Sequence, residues 1–392
     1  MEIHPIIQEF KVSYRYPVFF TNSLFDVKNP LFKDTIIKSA STTPTKLFFI
    51  IDEGVKDSNP LLIKDIKNYT SNNSDHLTIV SDPLIVPGGE ECKNQPELID
   101  VIKKAINDHK IDRHSYIVAI GGGAVLDMAG FAAAISHRGV RLIRVPTTVL
   151  SQNDSGIGVK NSVNAFGKKN FLGTFAPPFA VFNDFNFLTT LDNRNWRAGI
   201  SEAIKVALIK DRVFFDFLKA NTKGLVNRER EPMQYLIYRC AELHLNHIAS
   251  GDPFEMGSSR PLDFGHWSAH KLEQLTNFTI LHGEAVAMGI ALDVAYSYLN
   301  GMLSKKELDE VVFLILDLGF DVYHPALSTK LDDPENKESI FKGLSEFREH
   351  LGGKLTIMLL EGLGKGREVH EVDFSKMTQA IGILEEYNKK LC

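Results

Sequence analysis

Three histidines in a short stretch could bind a metal ion. His266 and His270 are four residues apart, so one helical turn would place both rings on one face, and His282 could return to the same point from the next element. A single histidine is more often structural, but three within seventeen residues with flanking glycines favour a metal site. Catalytic zinc takes about three protein ligands and leaves one position open. The pattern predicts a metal-dependent enzyme, and the spacing does not decide which two histidines bind.

Further ligand candidates lie upstream of these histidines. Glu202 and Lys205 are three residues apart in a predicted helix, so their side chains would share a face. His244 and His247 are two more candidates. A buried ion pair between Glu202 and Lys205 is the structural alternative to a metal ligand.

A glycine-rich turn indicates a nucleotide site. Gly121 to Gly123 directly follow the apolar run Ile117-Val-Ala-Ile120, where a strand would end and a helix would begin. Glycine lets the main chain approach a pyrophosphate, and the helix N-terminus adds partial positive charge. The spacing is not G-x-G-x-x-G, so a tight structural turn is the alternative. Because the segments at residues 87–93 and 146–148 also follow predicted strands, we expect a dinucleotide at this sheet edge.

The polar segment from Asp154 to Asn170 is predicted to be a loop. It carries Lys160, Lys168 and Lys169 near one acid, between apolar flanks. Lysines on a loop beside a nucleotide site suit an anionic substrate, above all a phosphate. A solvated surface loop is the alternative.

The elements that would hold these residues form two halves. As far as residue 183, apolar runs alternate with amphipathic stretches, which predicts parallel strands at residues 46–51, 76–80, 116–120 and 142–145 with helices at 95–109 and 124–136. The later residues predict helices at 196–209, 213–220, 233–249, 266–275, 283–299 and 305–318, with one strand at 354–360. The predicted fold class is therefore α/β, with an N-terminal domain of residues 1–183 and an α-helical domain of residues 184–392.

Composition and charge predict a cytoplasmic enzyme. The 392 residues, 44% of them hydrophobic, are enough for two cores. A net charge of -5 offers no basic field for nucleic acid. Cys92, Cys240 and Cys392 are too scattered for a disulfide framework. Because no apolar run reaches about 18 residues and the start lacks a basic signal-peptide pattern, we expect neither export nor a membrane span.

Several of these motifs together carry a family resemblance. The stretches are residues 87–93, 121–133, 145–148, 154–160, 167–173, 198–205, 263–266 and 281–289. From about residue 46 to residue 360, the chain resembles the sugar phosphate cyclase superfamily, whose best-known member is 3-dehydroquinate synthase. The resemblance implies a Rossmann-like N-terminal domain that binds NAD and a C-terminal all-α metal-binding domain. It also implies Glu202, His266 and His282 as zinc ligands, with His270 beside the metal, where it would support a ligand or relay protons; Co²⁺ would suit the same ligands.

The same resemblance implies which residues meet the cofactor and the substrate. NAD would be held by Asp52, Glu90, Lys93, Gly122, Gly123, Asp127, Thr147, Thr148, Lys169 and Thr190. A small sugar phosphate would be faced by Asp154, Lys160, Asn170, Lys205, Asp263, Arg260 and Arg138. Arg138 would reach the phosphate across the interface of a homodimer. The implied reaction oxidises an alcohol, eliminates phosphate, returns the hydride and closes a ring by an aldol step.

Four positions depart from the pattern of dehydroquinate synthases. A lysine expected near Leu245 is absent, Arg260 is displaced by one place, and Asp263 replaces an asparagine. A paired lysine motif is also missing near Arg348, which could stand in for it. These positions surround the substrate carboxylate in the family, so the changes disfavour a carboxylated substrate.

We therefore hypothesise that the substrate is sedoheptulose 7-phosphate and the product a valiolone-type cyclitol. The alternatives are 3-dehydroquinate synthase itself, a metal-dependent NAD polyol dehydrogenase, and a binding or scaffold protein on an inactive fold.

Overall fold

A parallel sheet organises the first half of the chain. The computed structural model describes residues 4–39, 44–255, 261–350, 353 and 355–389. Within them the strands are β1 (Val18–Thr21), β2 (Thr45–Asp52), β3 (Leu77–Ile79), β4 (Leu84–Val86), β5 (Tyr116–Gly121), β6 (Arg141–Pro146), β7 (Lys160–Ala165), β8 (Lys168–Phe175), β9 (Ala180–Asp184), β10 (Ile357–Leu360) and β11 (Gly366–Val369). The sheet has the order β1-β9-β6-β5-β2-β3, β4 also pairs with β2, and all these pairings are parallel.

Both faces of this sheet are buried. Leu47, Phe49 and Ile51 belong to one apolar cluster, whereas Phe48 and Ile50 belong to another on the opposite face. Because successive strand residues face opposite sides, an unbroken apolar run is typical of a strand that is covered twice. The four predicted strands are confirmed. The short strands β1, β4 and β9 were not predicted.

The helices lie around the sheet and make up most of the second half. They are α1 (Leu31–Ile37), α2 (Glu53–Ser58), α3 (Leu62–Ser71), α4 (Pro96–Asp108), α5 (Gly123–Ile135), α6 (Asn193–Ala198), α7 (Ile200–Lys210), α8 (Arg212–Ala220), α9 (Thr222–Val226), α10 (Arg230–Ala249), α11 (His266–Leu275), α12 (His282–Leu299), α13 (Lys305–Asp317), α14 (Lys342–His350) and α15 (Phe374–Lys389). The predicted helix at 196–209 is two helices, and between them the carbonyl of Gly199 accepts a hydrogen bond of 2.7 Å from Asn153.

The prediction of a loop from Asp154 to Asn170 is wrong. After one π-helical turn at Ser151–Ser155, the segment forms the antiparallel hairpin of β7 and β8. Polar groups of β7 are hydrogen-bonded inside the protein, since the fully buried Arg144 donates to the carbonyl of Lys160 and to Asn161 Oδ1. Polar composition therefore concealed a strand that buried hydrogen bonds stabilise.

The second half packs around α12. This helix is buried on all sides from Ala285 to Ser297 and contacts α7, α11 and α15, as expected for a helix that is apolar all round. The late strand is confirmed as β10, which pairs with β11 in a hairpin. The domain boundary after residue 183 stays a prediction; β9, the last strand of the large sheet along the chain, ends at Asp184. Among the described residues, every helix is too short or too polar to span a bilayer.

Candidate active site

A cleft of about 1150 Å³ lies where the carboxyl ends of β2, β5 and β6 face the helices of the second half. Side chains gather there because parallel strands end at a common edge of the sheet. All ten predicted NAD residues line it: Asp52, Glu90, Lys93, Gly122, Gly123, Asp127, Thr147, Thr148, Lys169 and Thr190. The predicted substrate residues Asp154, Lys160, Asn170, Lys205, Asp263 and His270 line it as well.

Glu202, His266 and His282 meet at the metal-site end of this cleft. Nε2 of His266 and Nε2 of His282 are each 3.5 Å from Oε1 of Glu202, and the three ligand atoms all lie within 4.8 Å of one another. The three residues come from α7, α11 and α12. Two nitrogens and one carboxylate oxygen, brought together from three helices, match the donor set of a catalytic zinc site.

Both ligand histidines are oriented through Nδ1. Nδ1 of His266 lies 3.1 Å from the carbonyl oxygen of Phe264, and Nδ1 of His282 lies 3.1 Å from Oε2 of Glu273. Each contact fixes the tautomer and turns Nε2 towards Glu202. A second possible metal group, His270 with Glu273 and His282, shares one histidine with the first. Glu273 already binds His282 and Lys169 with its two oxygens, so the group around Glu202 suits a metal better.

Glu202 carries a buried carboxylate whose oxygens are available to bind a metal ion. Its side chain is fully buried, and neither oxygen has a hydrogen bond within the described residues, although Lys205 Nζ lies beside Oε2. Burial acts to raise the pKa of its carboxyl, but Lys205 and His266 hold that pKa well below its ordinary value. A buried carboxylate with open lone pairs fits a divalent cation.

His270 lies beside this group. Its ring centroid is 5.5 Å from that of His266 and 5.8 Å from that of His282. Burial and the two neighbouring histidines hold the pKa of His270 well below its ordinary value, which favours a neutral ring. Its expected role as a proton relay stays a prediction.

Gly265 allows the ligand-bearing helix α11 to begin at His266. Its φ of +77° lies in the left-handed region, and a Cβ there would lie 2.7 Å from the backbone nitrogen of Ile290. The carboxylate of Asp293 accepts hydrogen bonds of 2.9 Å from Gly265 N and from Trp267 Nε1, on either side of the ligand. The loop that places His266 is thereby held against α12.

The hairpin of β7 and β8 connects the nucleotide edge with the metal group. Lys93 Nζ lies 2.9 Å from Asp127 Oδ2 and 2.5 Å from Asn170 Oδ1. Lys169 donates a 2.9 Å hydrogen bond to Glu273, the residue that orients His282. Gly123, at the start of α5, packs so closely that a Cβ would lie 2.4 Å from Ser155 Oγ. The backbone there presents no side chain to the cleft, as a bound pyrophosphate requires.

Sequence reasoning did not assign roles to two residues of the site. Glu273 is three residues after His270, a helical spacing that could have revealed it. His244, named only as a metal candidate, contacts Asp154 instead: its Nδ1 lies 2.7 Å from Asp154 Oδ1, and no sequence signal joins residues 90 apart. His247 also lies outside the metal group.

The remaining predicted residues are not in the cleft. Arg138 is exposed in a turn after α5, with a φ of +62°, and does not line the cleft of its own chain. Its role across a homodimer interface stays a prediction. Arg260 lies outside the described residues. Arg348 is exposed on α14, and Leu245 packs against Ile157 and Val181, so neither lines the described cleft.

Comparison with known proteins identifies consistent relatives. A family model described as the 3-dehydroquinate synthase N-terminal domain matches residues 83–198, and one described as its C-terminal domain matches residues 199–337. A 3-dehydroquinate synthase of Nitrosospira multiformis is 36% identical over 77% of this chain and 80% of that protein.

Solved structures show the same architecture. The 2-epi-5-epi-valiolone synthase of Streptomyces hygroscopicus, with NAD⁺ and Zn²⁺ bound, is 27% identical, with a TM-score of 0.85 over 97% of this chain and 99% of that one. A 2-deoxy-scyllo-inosose synthase complexed with carbaglucose-6-phosphate, NAD⁺ and Co²⁺ is 22% identical, with a TM-score of 0.74 over 93% and 95% of the two chains. The predicted two-part architecture, a Rossmann-like half followed by a helical half, is confirmed.

Proposed function

The chain belongs to the 3-dehydroquinate synthase family of sugar phosphate cyclases, and we propose from this premise that it is an NAD- and zinc-dependent cyclase of a seven-carbon sugar phosphate. The observation that carries the proposal is the buried group of Glu202, His266 and His282 at the end of a cleft whose other end is a glycine-rich strand edge. The similar valiolone synthase has NAD⁺ and Zn²⁺ bound. Both cofactors fit the residues present here.

The residues that would hold the cofactors are assigned separately. Zinc would be held by Glu202, His266 and His282, and NAD⁺ by the strand-end glycines Gly122 and Gly123 with the other cleft residues named above. The chemistry that these cofactors supply when bound is polarisation of a secondary alcohol and reversible removal of its hydride, which acidifies the neighbouring C–H.

The protein's own side chains would bind and orient the sugar phosphate. Lys205 Nζ lies beside Glu202 and 3.8 Å from Asp154 Oδ1, so it presents a buried cation between the metal group and the sugar. Lys160 and Asn170, on the hairpin, would bind the phosphate as it leaves. Arg138 of a second copy would complete this cationic wall in the proposed homodimer.

We propose sedoheptulose 7-phosphate as the substrate and a valiolone-type cyclitol as the product. Asp263 adds an acid to the cleft, and Arg348, which could have replaced a lost lysine, is exposed outside it. The negative charge of Asp263 would repel a carboxylate on the substrate. The reaction would be a phosphate-eliminating lyase reaction that returns its hydride within each cycle.

Phosphate release from two sugars tests the substrate. We expect the zinc-loaded protein with NAD⁺ to release phosphate from sedoheptulose 7-phosphate. The second candidate is 3-dehydroquinate synthase, which the name of the Nitrosospira relative favours. Release from the carboxylated precursor of dehydroquinate alone would decide for that candidate.

A further inference from the structure

His244 is the residue by which α10 presents a polar group to the cleft. Its side chain lines the cleft together with Ile248, one turn further along the helix. The adjacent Leu245 packs against a buried apolar cluster that includes Ile157 and Val181. The wall formed by α10 therefore contributes an imidazole and an apolar side chain, and no lysine or arginine of this helix lines the cleft.

The contact with Asp154 fixes the hydrogen-bonding character of the ring. Nδ1 of His244 lies 2.7 Å from Asp154 Oδ1, and a carboxylate can only accept, so Nδ1 carries the proton. In the neutral ring, Nε2 is then an acceptor. Within the described residues Nε2 has no hydrogen-bond partner. Gly158 lies next to this nitrogen, since a Cβ built on the glycine would be 3.7 Å from Nε2.

The same carboxylate connects His244 to the reaction centre. Asp154 Oδ1 is also 3.8 Å from Lys205 Nζ, and Lys205 contacts Glu202 of the metal group. The imidazole is thus held by groups that are themselves fixed in the buried part of the site. Such a ring can discriminate between hydrogen-bonding partners because it cannot turn to suit either one.

Charge at this end of the cleft disfavours a second anionic group on the sugar. Asp263 lines the cleft here. His247, one turn from His244, interacts with the charge of Asp263 as well as with those of Lys210 and Glu255, which places Asp263 near this stretch of α10. The end of the sugar that carries no phosphate is the part that suits these surroundings.

We propose that His244 is a specificity-determining residue that selects an uncharged, hydroxylated end of the substrate. Its Nε2 accepts a hydrogen bond from the terminal hydroxyl of the sugar, whereas a carboxylate brings no proton and meets a lone pair. The inference rests on the proposed function and names the residue that recognises the neutral end.

A cycle of two sugars and two proteins tests this contact. The variant His244→Asn keeps an N–H that reaches Asp154 and removes the group at Nε2. The sugars are sedoheptulose 7-phosphate and its 1-deoxy analogue, and kcat/KM is measured by phosphate release. We expect loss of the hydroxyl to lower kcat/KM of the wild type about tenfold, mostly through KM, and His244→Asn to do the same with the full sugar. With the deoxy sugar, variant and wild type should be equal, and His244→Gln should recover part of the loss.

Two outcomes overturn the inference and are distinguishable. Losses that multiply to about a hundredfold, or a wild type that does not distinguish the two sugars, would show that Nε2 does not meet the hydroxyl. The comparison of the two sugars uses the wild type alone, so it does not depend on whether a variant folds. A wild type that releases no phosphate from either sugar would instead overturn the proposed function. Zinc content and NAD⁺ affinity of His244→Asn serve as controls, and both should equal those of the wild type.

Discussion

At the scale of single residues, the metal site depends on histidines that contact a neighbouring residue through one ring nitrogen and keep the other nitrogen for the metal. His266 and His282 bind Phe264 and Glu273 through Nδ1, which leaves Nε2 of each for a metal. Glu273 in turn binds Lys169 from the hairpin. Orientation of the metal group therefore depends on residues that do not belong to it.

Removing the charge of Glu273 should weaken metal binding. In Glu273→Gln, His282 loses its anionic partner and Lys169 loses its ion pair, so we expect zinc affinity to fall about 10- to 100-fold. Competition with a chromophoric chelator measures this change. Glu346→Gln is the control, because Glu346 on α14 is also paired with a lysine of α11, Lys271, and neither residue lines the cleft. Equal zinc affinity in the two variants would contradict the assigned role.

Asp293 should make stability depend on pH. Burial raises the pKa of this carboxyl to about 7, although Trp267 and Gly265 donate hydrogen bonds to it. The unfolded chain, with an ordinary pKa of about 3.9, releases the proton first as pH rises. The free energy of unfolding therefore decreases between about pH 4 and 7, by at most about 1.4 kcal/mol per pH unit from this group.

Urea unfolding of Asp293→Asn across this pH range measures the effect. The difference in unfolding free energy between wild type and variant should shrink as pH rises from about 4.5 to 6.5. The exposed Asp317→Asn should show no such trend. A difference between wild type and Asp293→Asn that is independent of pH would contradict the shifted pKa.

At the scale of elements, helix α12 positions the site by close backbone packing. Gly283 follows the ligand His282, and a Cβ there would lie 2.1 Å from the carbonyl oxygen of Ala198 in α6. The backbone of neither helix can move away without displacing residues next to the metal group. Close packing here fixes how the ligand-bearing helices meet.

Gly283→Ala should separate α12 from α6. We expect it to destabilise the protein by about 1–3 kcal/mol and to weaken zinc binding, because His282 moves with the start of the helix. Gly382→Ala in α15 is the matched control: no atom lies within 4 Å of a Cβ there, so alanine should be neutral or stabilise by about 0.5–1 kcal/mol. Denaturant midpoints and zinc affinities give both results. Equal denaturant midpoints and equal zinc affinities in the two variants would contradict the proposed close packing of α12 on α6.

The elements and the site were predictable from the sequence to different extents. Strands such as β2 and β5 carry continuous apolar runs, and α11 brings His266 and His270 onto one face, so local patterns were enough. The hairpin of β7 and β8 was missed because Asn161 and Ser162 are polar yet buried, with Arg144 and Lys93 as their partners. The contact of His244 with Asp154 depends on the assembled fold, which local periodicity does not encode.

At the scale of the whole molecule, the cleft joins both halves of the chain and the homodimer is expected to complete it. Lys169 of the hairpin reaches Glu273 of α11, so the nucleotide edge and the metal group are directly connected. Arg138 lies away from the cleft, exposed, in a turn where His137 and Arg138 both have positive φ. Left-handed backbone at two neighbouring non-glycine residues is uncommon and is often found at functional positions.

Mixing two inactive variants should restore activity if Arg138 acts in a partner's cleft. We expect Arg138→Ala and Lys205→Met each to abolish phosphate release. After subunit exchange at equal amounts, about a quarter of wild-type activity should return, because half of the dimers are mixed and one of their two clefts is intact. Light scattering reports the oligomeric state. No recovery from a mixture shown to contain mixed dimers would place the action of Arg138 elsewhere.

The central claim is that NAD⁺ is recycled within each turnover. The most direct measurement supplies the zinc-loaded protein with sedoheptulose 7-phosphate and NAD⁺ at about one-tenth of the sugar concentration, and follows phosphate and NADH absorbance together. We predict complete phosphate release, many equivalents for each NAD⁺, without accumulation of NADH. Phosphate release that stops at one equivalent of NAD⁺, or NADH that accumulates without phosphate, would contradict a cyclase and indicate simple dehydrogenation.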